Sequence, residues 1–491
     1  MDDTTKKMAD LLGIEIVEPM QADGPIHYTH LGNARRMVRE HGNDIRHCPS
    51  MPSGGWLLWD DQRWKLDQTG QIMRLAKDRA GDLYREAAAL DQDARDTDSK
   101  SEAKQLQARA EAARKWARTS ESANVLRATI ELLRTESSVP ITIADVDADP
   151  WLMGTPGGTV DLRTGKVRTA ERTDLITKST VAAWDDDATC PTWDRFLLDV
   201  MGGDQELVEY LQRAIGYSLV GVTSAQAFFV LHGTGANGKS TFVETLRHIF
   251  GDYARNCPAE SFVGRKEGGI SNDIARLAGA RFATASETAE GKPLDEAMVK
   301  AVTGGEPITT RFLRKEFFEF TPRFTLWLST NHKPRVKGTD NGIWRRIRLI
   351  PFAVTIAEED RDPELPAKLR AEASGILRWA VQGAVSWARD GLQDPPTVLD
   401  ATMAYRTEQD VVAAFLEDCC QAGPGRSVPS RELYASFRAW CEDGGEFVRS
   451  QRWLAEKLKG HGYQPARSNA ARFWRGLSLV PEATPSRGRG W

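Results

Sequence analysis

The chain has 491 residues, room at roughly 150 residues per domain for three domains that each bury a core, which excludes a small stapled scaffold. Hydrophobic residues make up 41% and charged residues 27%, with a mean hydropathy of -0.45, so a disordered or collagen-like chain is excluded too. The net charge of -4 is unevenly spread: residues 447–491 hold nine Lys/Arg against two acids, +7, leaving -11 for the rest, and a polyanion is therefore sought at the C-terminal end.

Residues 1–30 are polar and irregular, with Pro19 and Pro25, and read as a flexible leader without a signal-peptide apolar stretch. No run approaches the roughly 20 apolar residues that span a bilayer, so a cytoplasmic protein with no membrane partner is expected. The six cysteines (Cys48, Cys190, Cys257, Cys419, Cys420, Cys441) include no C-x-x-C pair, which argues against zinc and disulfides alike.

Residues 31–215 are expected to form an α-rich N-terminal domain with small β elements. In it, two aromatic-rich runs in 55–66 flank an Asp-Asp-Gln turn and predict a β-hairpin. Residues 69–137 are charged and helical, as a solvated helix or helical hairpin, and 151–168 read as short strands around Gly157-Gly158 and Thr164-Gly165 turns. Strands and helices alternate over 216–390, the pattern of an α/β domain with a parallel sheet. Asp394-Pro395-Pro396 marks a linker over 391–410. Three short helices follow, at about 411–422, 429–442 and 450–460, then an Arg- and aromatic-rich segment (463–479) that reads as a wing, completing a domain over 411–480. A basic tail, 481–491, ends the chain, and there are no internal repeats.

Gly233-Thr234-Gly235-Ala236-Asn237-Gly238-Lys239-Ser240 fits G-x-x-x-x-G-K-[ST]. It follows an apolar strand (228–231) and opens a helix whose apolar positions Phe242, Val243, Leu246, Ile249 and Phe250 share one face. Residues 233–240, with Thr241, are the candidate nucleotide cradle: backbone N–H groups face the phosphates, Lys239 reaches the β- and γ-phosphates, and the Ser240 hydroxyl ligates Mg²⁺. A second strand (281–286) ends at Glu287, a third (324–330) at Asn331. In a parallel sheet the carboxyl ends of strands converge on the ligand crevice, making Glu287 the candidate general base and Asn331 the water or phosphate sensor.

In this order, the four motifs resemble those of superfamily 3 helicases of the viral and phage/plasmid primase-helicase type: the loop at 233–240, the strand ending at Glu287, the run 300–311, and Ser329-Thr330-Asn331-His332-Lys333-Pro334. Further likeness lies in 342–352, 161–165 and 210–217, so that it spans roughly 30 to 480. The resemblance implies a P-loop, AAA+-like ATPase core, ATP and Mg²⁺ as substrate and cofactor, and a hexameric ring that translocates 3′ to 5′ on single-stranded DNA. It also implies an arginine finger entering the neighbour's site, with Arg346 the first choice and Arg345 the second. From spacing alone the two arginines alternate with apolar residues on a strand, and surface ion pairs are the alternative reading. Ser286 precedes Glu287 where many relatives have Asp-Glu, leaving Glu287 to combine metal and base duties. The chain has no room for a fused polymerising primase domain, so a separate primase or polymerase is an expected partner.

Residues 308–320 read as a hairpin with Arg314 and Lys315 at its tip; in the family such a hairpin tracks the DNA backbone inside the ring. The C-terminal helices and wing resemble a winged-helix domain. Its helix at 450–459 buries Trp453, Leu454 and Leu458 and presents Arg452, Lys457 and Lys459; with Arg472 and Arg475 of the wing these are the candidate DNA contacts, although winged helices also bind proteins. The expectation is an ATP-dependent replicative DNA helicase of a phage, prophage or plasmid, in a bacterial host's cytoplasm, acting on single-stranded and forked DNA. The alternative is an ATP-switched origin-binding or loader protein that does not unwind processively.

Overall fold

A computed structural model describes residues 27–264, 272–286, 292–312, 316–336, 341–443, 448–467 and 472–480. Glu287, Arg314 and Lys315, the basic tail and nearly all of the leader lie outside the described residues. The chain falls into two compact units, one of residues up to Val160 plus Val167–Ser179, the other of Asp161–Lys166 plus Thr180 onward. Residues 180–215, expected in the N-terminal domain, therefore belong with the second unit.

In the first unit, α1 (His30–His41), capped by Thr29, is followed by a three-stranded antiparallel sheet of β1 (Ile45–His47), β2 (Trp56–Trp59) and β3 (Trp64–Leu66). The β2–β3 pair is the hairpin expected from the two aromatic runs. The charged helical stretch becomes α2 (Gln71–Asp96), α3 (Lys100–Ser120) and α4 (Ala123–Leu133). Buried positions of α2 fall at Ala76, Ala80, Leu83, Ala87, Leu90 and Ala94, and those of α3 at Ala110, Ala113, Ala117 and Ser120. Alternating steps of four and three make a heptad seam, and alanines along it let two charged helices pack closely as a hairpin. Ser99 and Glu102 supply the S-x-x-E start of α3, the Ser99 hydroxyl accepting from the Glu102 N–H at 3.3 Å. A small sheet of β4 (Leu152–Thr155), β5 (Gly158–Asp161) and β6 (Lys166–Arg168) follows.

The second unit opens with α5 (Pro191–Val200) and α6 (Gln205–Val220) and is built on a five-stranded parallel sheet, consistent with a P-loop-like core. Its strands are β7 (Phe228–His232), β8 (Ala254–Pro258), β9 (Phe282–Ser286), β12 (Thr325–Thr330) and β13 (Ile347–Pro351), in the spatial order β13-β7-β12-β9-β8. β7 and β12 are buried along their length apart from His232, as central parallel strands covered on both faces must be. On one face Trp327 stacks on Phe229 at 4.3 Å and donates its indole N–H to the Ser218 hydroxyl of α6 at 3.0 Å. Between the strands lie α7 (Lys239–Phe250), α8 (Asn272–Ala275), α9 (Glu296–Gly304), the antiparallel pair β10 (Ile308–Thr310) and β11 (Phe318–Phe320), and α10 (Asn341–Trp344). The expected hairpin at 308–320 is thus present in its arms, while its tip lies outside the described residues.

After β13 come α11 (Leu365–Ala371) and α12 (Ala373–Asp390). The linker expected at 391–410 is instead structured: α13 (Pro396–Glu408) starts with Pro395-Pro396 as its cap and first residue, where a missing N–H costs nothing. α13 packs on β13, burying Tyr405 in the core shared with Phe228, Leu328 and Trp344. The segment before it is tied down by an Arg348–Asp394 ion pair at 2.6 Å. The prolines mark a helix start rather than a flexible joint.

The C-terminal residues form a module with its own apolar core of Phe415, Leu433, Phe437, Leu454, Leu458 and Trp474 among others. Its order is α14 (Val411–Cys419), β14 (Cys420–Pro429), α15 (Ser430–Asp443), α16 (Gln451–Gly460), β15 (Gln464–Arg467) and β16 (Arg472–Leu479), with an antiparallel sheet β14-β16-β15. No helix among the described residues is long and apolar enough to cross a membrane.

Candidate functional site

The turn after β7 folds as it does because of where side chains cannot go. A Cβ on Gly233 would sit 2.1 Å from the Asn237 amide nitrogen and 2.3 Å from the Phe352 carbonyl oxygen. Gly238 has φ +83, and a Cβ there would meet Val200 at 2.7 Å; only glycine takes both the left-handed turn and the close approach. Asn237 is 3% exposed and donates to the Phe352 carbonyl at 3.1 Å, while the Ile356 N–H donates to the Ala236 carbonyl at 2.8 Å. The loop is thereby fastened to the segment after β13.

Gly238, the N-cap of α7, offers no side-chain oxygen to the first turn, so those N–H groups face the crevice with the positive end of the helix dipole behind them. Lys239 opens this helix and is 5% exposed. Its ammonium donates to the Gly233 carbonyl at 2.7 Å, the Asn237 side-chain oxygen at 2.9 Å and the Asn331 side-chain oxygen at 3.0 Å. Burial lowers the Lys239 pKa from its usual range. None of its three partners carries charge, so a cation is held among neutral oxygens.

Around this ammonium lies a cavity of about 350 Å³, lined by residues 235–241 together with Ser286, Ser329, Thr330 and Asn331. Pairing explains the convergence. Ser329 of β12 is level with Leu231 of β7 on one side and with Ser286 of β9 on the other, so three strands end at one height. Ser240 lines the cavity, and so does Ser286, the residue immediately before Glu287. Of the candidate cradle, Gly233 contributes only its carbonyl to Lys239, and neither it nor Thr234 lines the cavity. The sequence reading named Ser286, Ser329 and Thr330 within its motifs but gave them no role at the site, where they line the cavity from the ends of apolar strands. His232, at the end of β7, has its pKa lowered by burial and then by the Lys333 and Lys239 charges, so at neutral pH it adds no positive charge.

The two adjacent arginines part company. Arg346 is 8% exposed; its Nε donates to the Thr303 hydroxyl at 3.0 Å and its Nη1 to the Gly342 carbonyl. Arg345, directly after α10, is exposed.

Of the candidate DNA contacts, Arg452, Lys459, Arg472 and Arg475 are exposed and Lys457 half-buried. Trp453 packs against the module's core, with the Arg449 guanidinium and the Lys457 ammonium each 5.7 Å from its ring. Beside the hairpin, Phe312 and Phe317 are exposed, Phe312 stacks on Phe318 at 5.4 Å, and the Arg311 guanidinium lies 4.6 Å from the Phe317 ring. The sequence reading did not single out these aromatics.

Three family models match the chain: D5 N terminal like over 34–202, a family of unknown function (DUF5906) over 231–346, and Poxvirus D5 protein-like over 407–470. "Putative helicase L207/L206" of Acanthamoeba polyphaga mimivirus is 27% identical over 326 residues, 61% of this chain and 34% of that protein. "Putative helicase 022R" of Frog virus 3 is 27% identical over 259 residues, covering 48% and 26%. "Putative helicase V13" of Sputnik virophage is 23% identical over 287 residues, covering 54% and 36%. The match spans between about a fifth and about a third of the length of the curated relatives. Among solved structures, the A-form apo structure of the NrS-1 C-terminal region is 12% identical, with a TM-score of 0.40, covering 73% of this chain and 90% of that one. The chain is thus similar to D5-type domains over 34–202 and 407–470, and over about half or more of its length to viral proteins named as putative helicases.

Proposed function

We propose that the chain is the motor of a replicative DNA helicase: an ATPase that acts as a homo-hexameric ring on single-stranded and forked DNA, moving 3′ to 5′. The observation that carries this reading is the buried Lys239 ammonium, surrounded by three neutral oxygens at the start of an uncapped helix and joined to Asn331 at the end of β12. A cation so placed is under-compensated, and the γ-phosphate of ATP is the anion that suits it.

In this reading Lys239 neutralises charge on the β/γ-phosphates, the N–H groups of residues 235–241 orient them, and Asn331 positions the attacking water or the γ-phosphate. Glu287, which follows cavity-lining Ser286, accepts the proton of that water. Ser240 and Glu287 would hold Mg²⁺, which supplies charge neutralisation on the phosphate oxygens. Among the described residues no group of three His, Cys, Asp or Glu side chains could cage a metal by itself. The finger assigned to this motor is Arg345, because an exposed guanidinium can reach a neighbour and Arg346 is engaged within its own subunit.

The hairpin of β10 and β11, whose intervening sequence includes Arg314 and Lys315 and which has Phe312 and Phe317 exposed beside it, is the proposed DNA-tracking element. The C-terminal module, in the order helix, strand, helix, helix, strand, strand, is read as a winged helix, and its cations Arg452, Lys457, Lys459, Arg472 and Arg475 are proposed to dock DNA. The setting proposed is DNA replication of a phage, prophage or plasmid in bacterial cytoplasm, with a separate primase or polymerase. Unwinding of a forked duplex with ATP and Mg²⁺, lost in Lys239→Ala, is the expected result. Tight duplex binding without strand separation, and without stimulation of turnover by single strands, would favour an ATP-switched origin-binding or loader protein instead.

A further inference from the structure

The last turn of α13 contacts two short segments that flank the candidate site residues Asn331 and Arg345. Tyr405 is 1% exposed; its hydroxyl donates to the Pro334 carbonyl, and its ring meets Trp344 edge-on at 5.2 Å. Three residues on, both Glu408 carboxylate oxygens accept from the Lys333 ammonium, at 2.8 and 2.7 Å. The Gln409 side-chain oxygen accepts from the Val336 N–H at 3.1 Å, and an Arg406 Nη donates to the Asn341 side-chain oxygen at 2.9 Å.

These partners fall in two short segments. Lys333, Pro334 and Val336 lie two, three and five residues after Asn331, which is one residue past the last ladder position of β12. Asn341 and Trp344 lie four residues and one residue before Arg345. The paired part of the sheet fixes neither Asn331 nor Arg345, yet each must sit within a few tenths of an ångström to act on a phosphate, which calls for a second anchor. One helical turn supplies it to both.

We propose that Tyr405 and Glu408 are positioning residues for nucleotide turnover, holding the Asn331 end of β12 and the Arg345 loop in one arrangement so that a subunit's own site and the site it completes in its neighbour are set together. The inference rests on the ATPase reading above. Burial, then the charges of Glu408 and Glu296, raise the Tyr405 phenol well above its ordinary pKa, so it remains a donor to Pro334 throughout the working pH range. Phenylalanine keeps the ring against Trp344 and removes only that donor.

The test uses the full chain. Steady-state ATPase kinetics, melting temperature and amide hydrogen exchange are measured for Tyr405→Phe and for Glu408→Gln, whose parent side chain is 52% exposed and so tolerant of change. Both variants are expected to lower kcat roughly five- to tenfold, the scale of one lost hydrogen bond, with KM within about twofold. Exchange should quicken in peptides covering 331–336 and 341–346 but not in those covering 239–250. Glu408→Lys and Lys333→Glu should each lose turnover, and the double swap should recover most of it. Unchanged kcat in both variants, a loss that merely follows the melting temperature, unchanged exchange in the two loops, or no recovery in the swap overturns the inference while the ATPase reading stands. A wild-type chain that hydrolyses no ATP overturns both.

Discussion

The Lys239 ammonium and the Asn331 side-chain oxygen lie 3.0 Å apart, across 92 residues of sequence. Lys239 has three N–H donors, and Gly233, Asn237 and Asn331 take all three. An incoming phosphate must displace at least one of them. Asn331 is the natural one to yield, because its side-chain amide can turn toward the γ-phosphate or its attacking water while its backbone stays held.

Three variants follow from this pair and from Glu287, the residue after cavity-lining Ser286 in sequence. Lys239→Ala should abolish hydrolysis and weaken ATP binding, since the phosphates lose their buried cation. Asn331→Ala should bind ATP within a few-fold of wild type and turn it over at least roughly a hundredfold more slowly. Glu287→Gln should also bind ATP and lose turnover. Binding is followed with a fluorescent nucleotide and turnover by phosphate release; wild-type turnover in the glutamine variant removes Glu287 from the base role.

Nucleotide affinity should depend on pH on the alkaline side. Burial lowers the Lys239 pKa in the free protein, and a bound phosphate raises it again by favouring the charged form. Binding therefore takes up a proton wherever free Lys239 is partly neutral, and affinity falls as pH rises through that range, below the ordinary lysine value of about 10.4. Calorimetry in buffers of different ionisation enthalpy measures the uptake directly. Its absence at alkaline pH would separate Lys239 from the phosphates.

Arg345 and Arg346 should fail in different ways. Arg346→Ala removes a buried guanidinium from Thr303 and Gly342, and should cost on the order of 2 kcal/mol or more, read as a lower melting temperature. Arg345→Ala should melt like wild type and lose ATPase activity. Mixed with inactive Lys239→Ala subunits, Arg345→Ala should recover activity, because each partner supplies what the other's site lacks. No recovery would place Arg345 outside the neighbour's site.

A truncation after Gln409 should preserve the ATPase, because the C-terminal module has its own core. It should weaken binding to forked DNA and flatten its salt dependence, as phosphate contacts are lost. A truncation before Tyr405 removes a core side chain and should unfold the motor. An unchanged salt slope in the first truncation would give the module a protein-docking role.

The glycine loop, its strand and its helix were legible in the sequence because each is a local event. Apolar residues at β spacing end in glycines that only a turn demands, and helical spacing resumes at once. The helical hairpin, the β-hairpins at 56–66 and 308–320 and the three helices of the C-terminal module were legible for the same reason. What long-range packing decides was not. Pro395-Pro396 reads as a linker until α13 is seen burying Tyr405 among strands far away in sequence, and prolines start helices as readily as they break them. Arg345 and Arg346 are indistinguishable as neighbours in a string; the Thr303 hydroxyl, 43 residues earlier, separates the buried guanidinium from the exposed one. Sequence alone determined which residue types could handle a phosphate, because that depends on their chemistry. Which of them meet depended on the order of five parallel strands, because pairing brings together ends that the chain itself keeps apart.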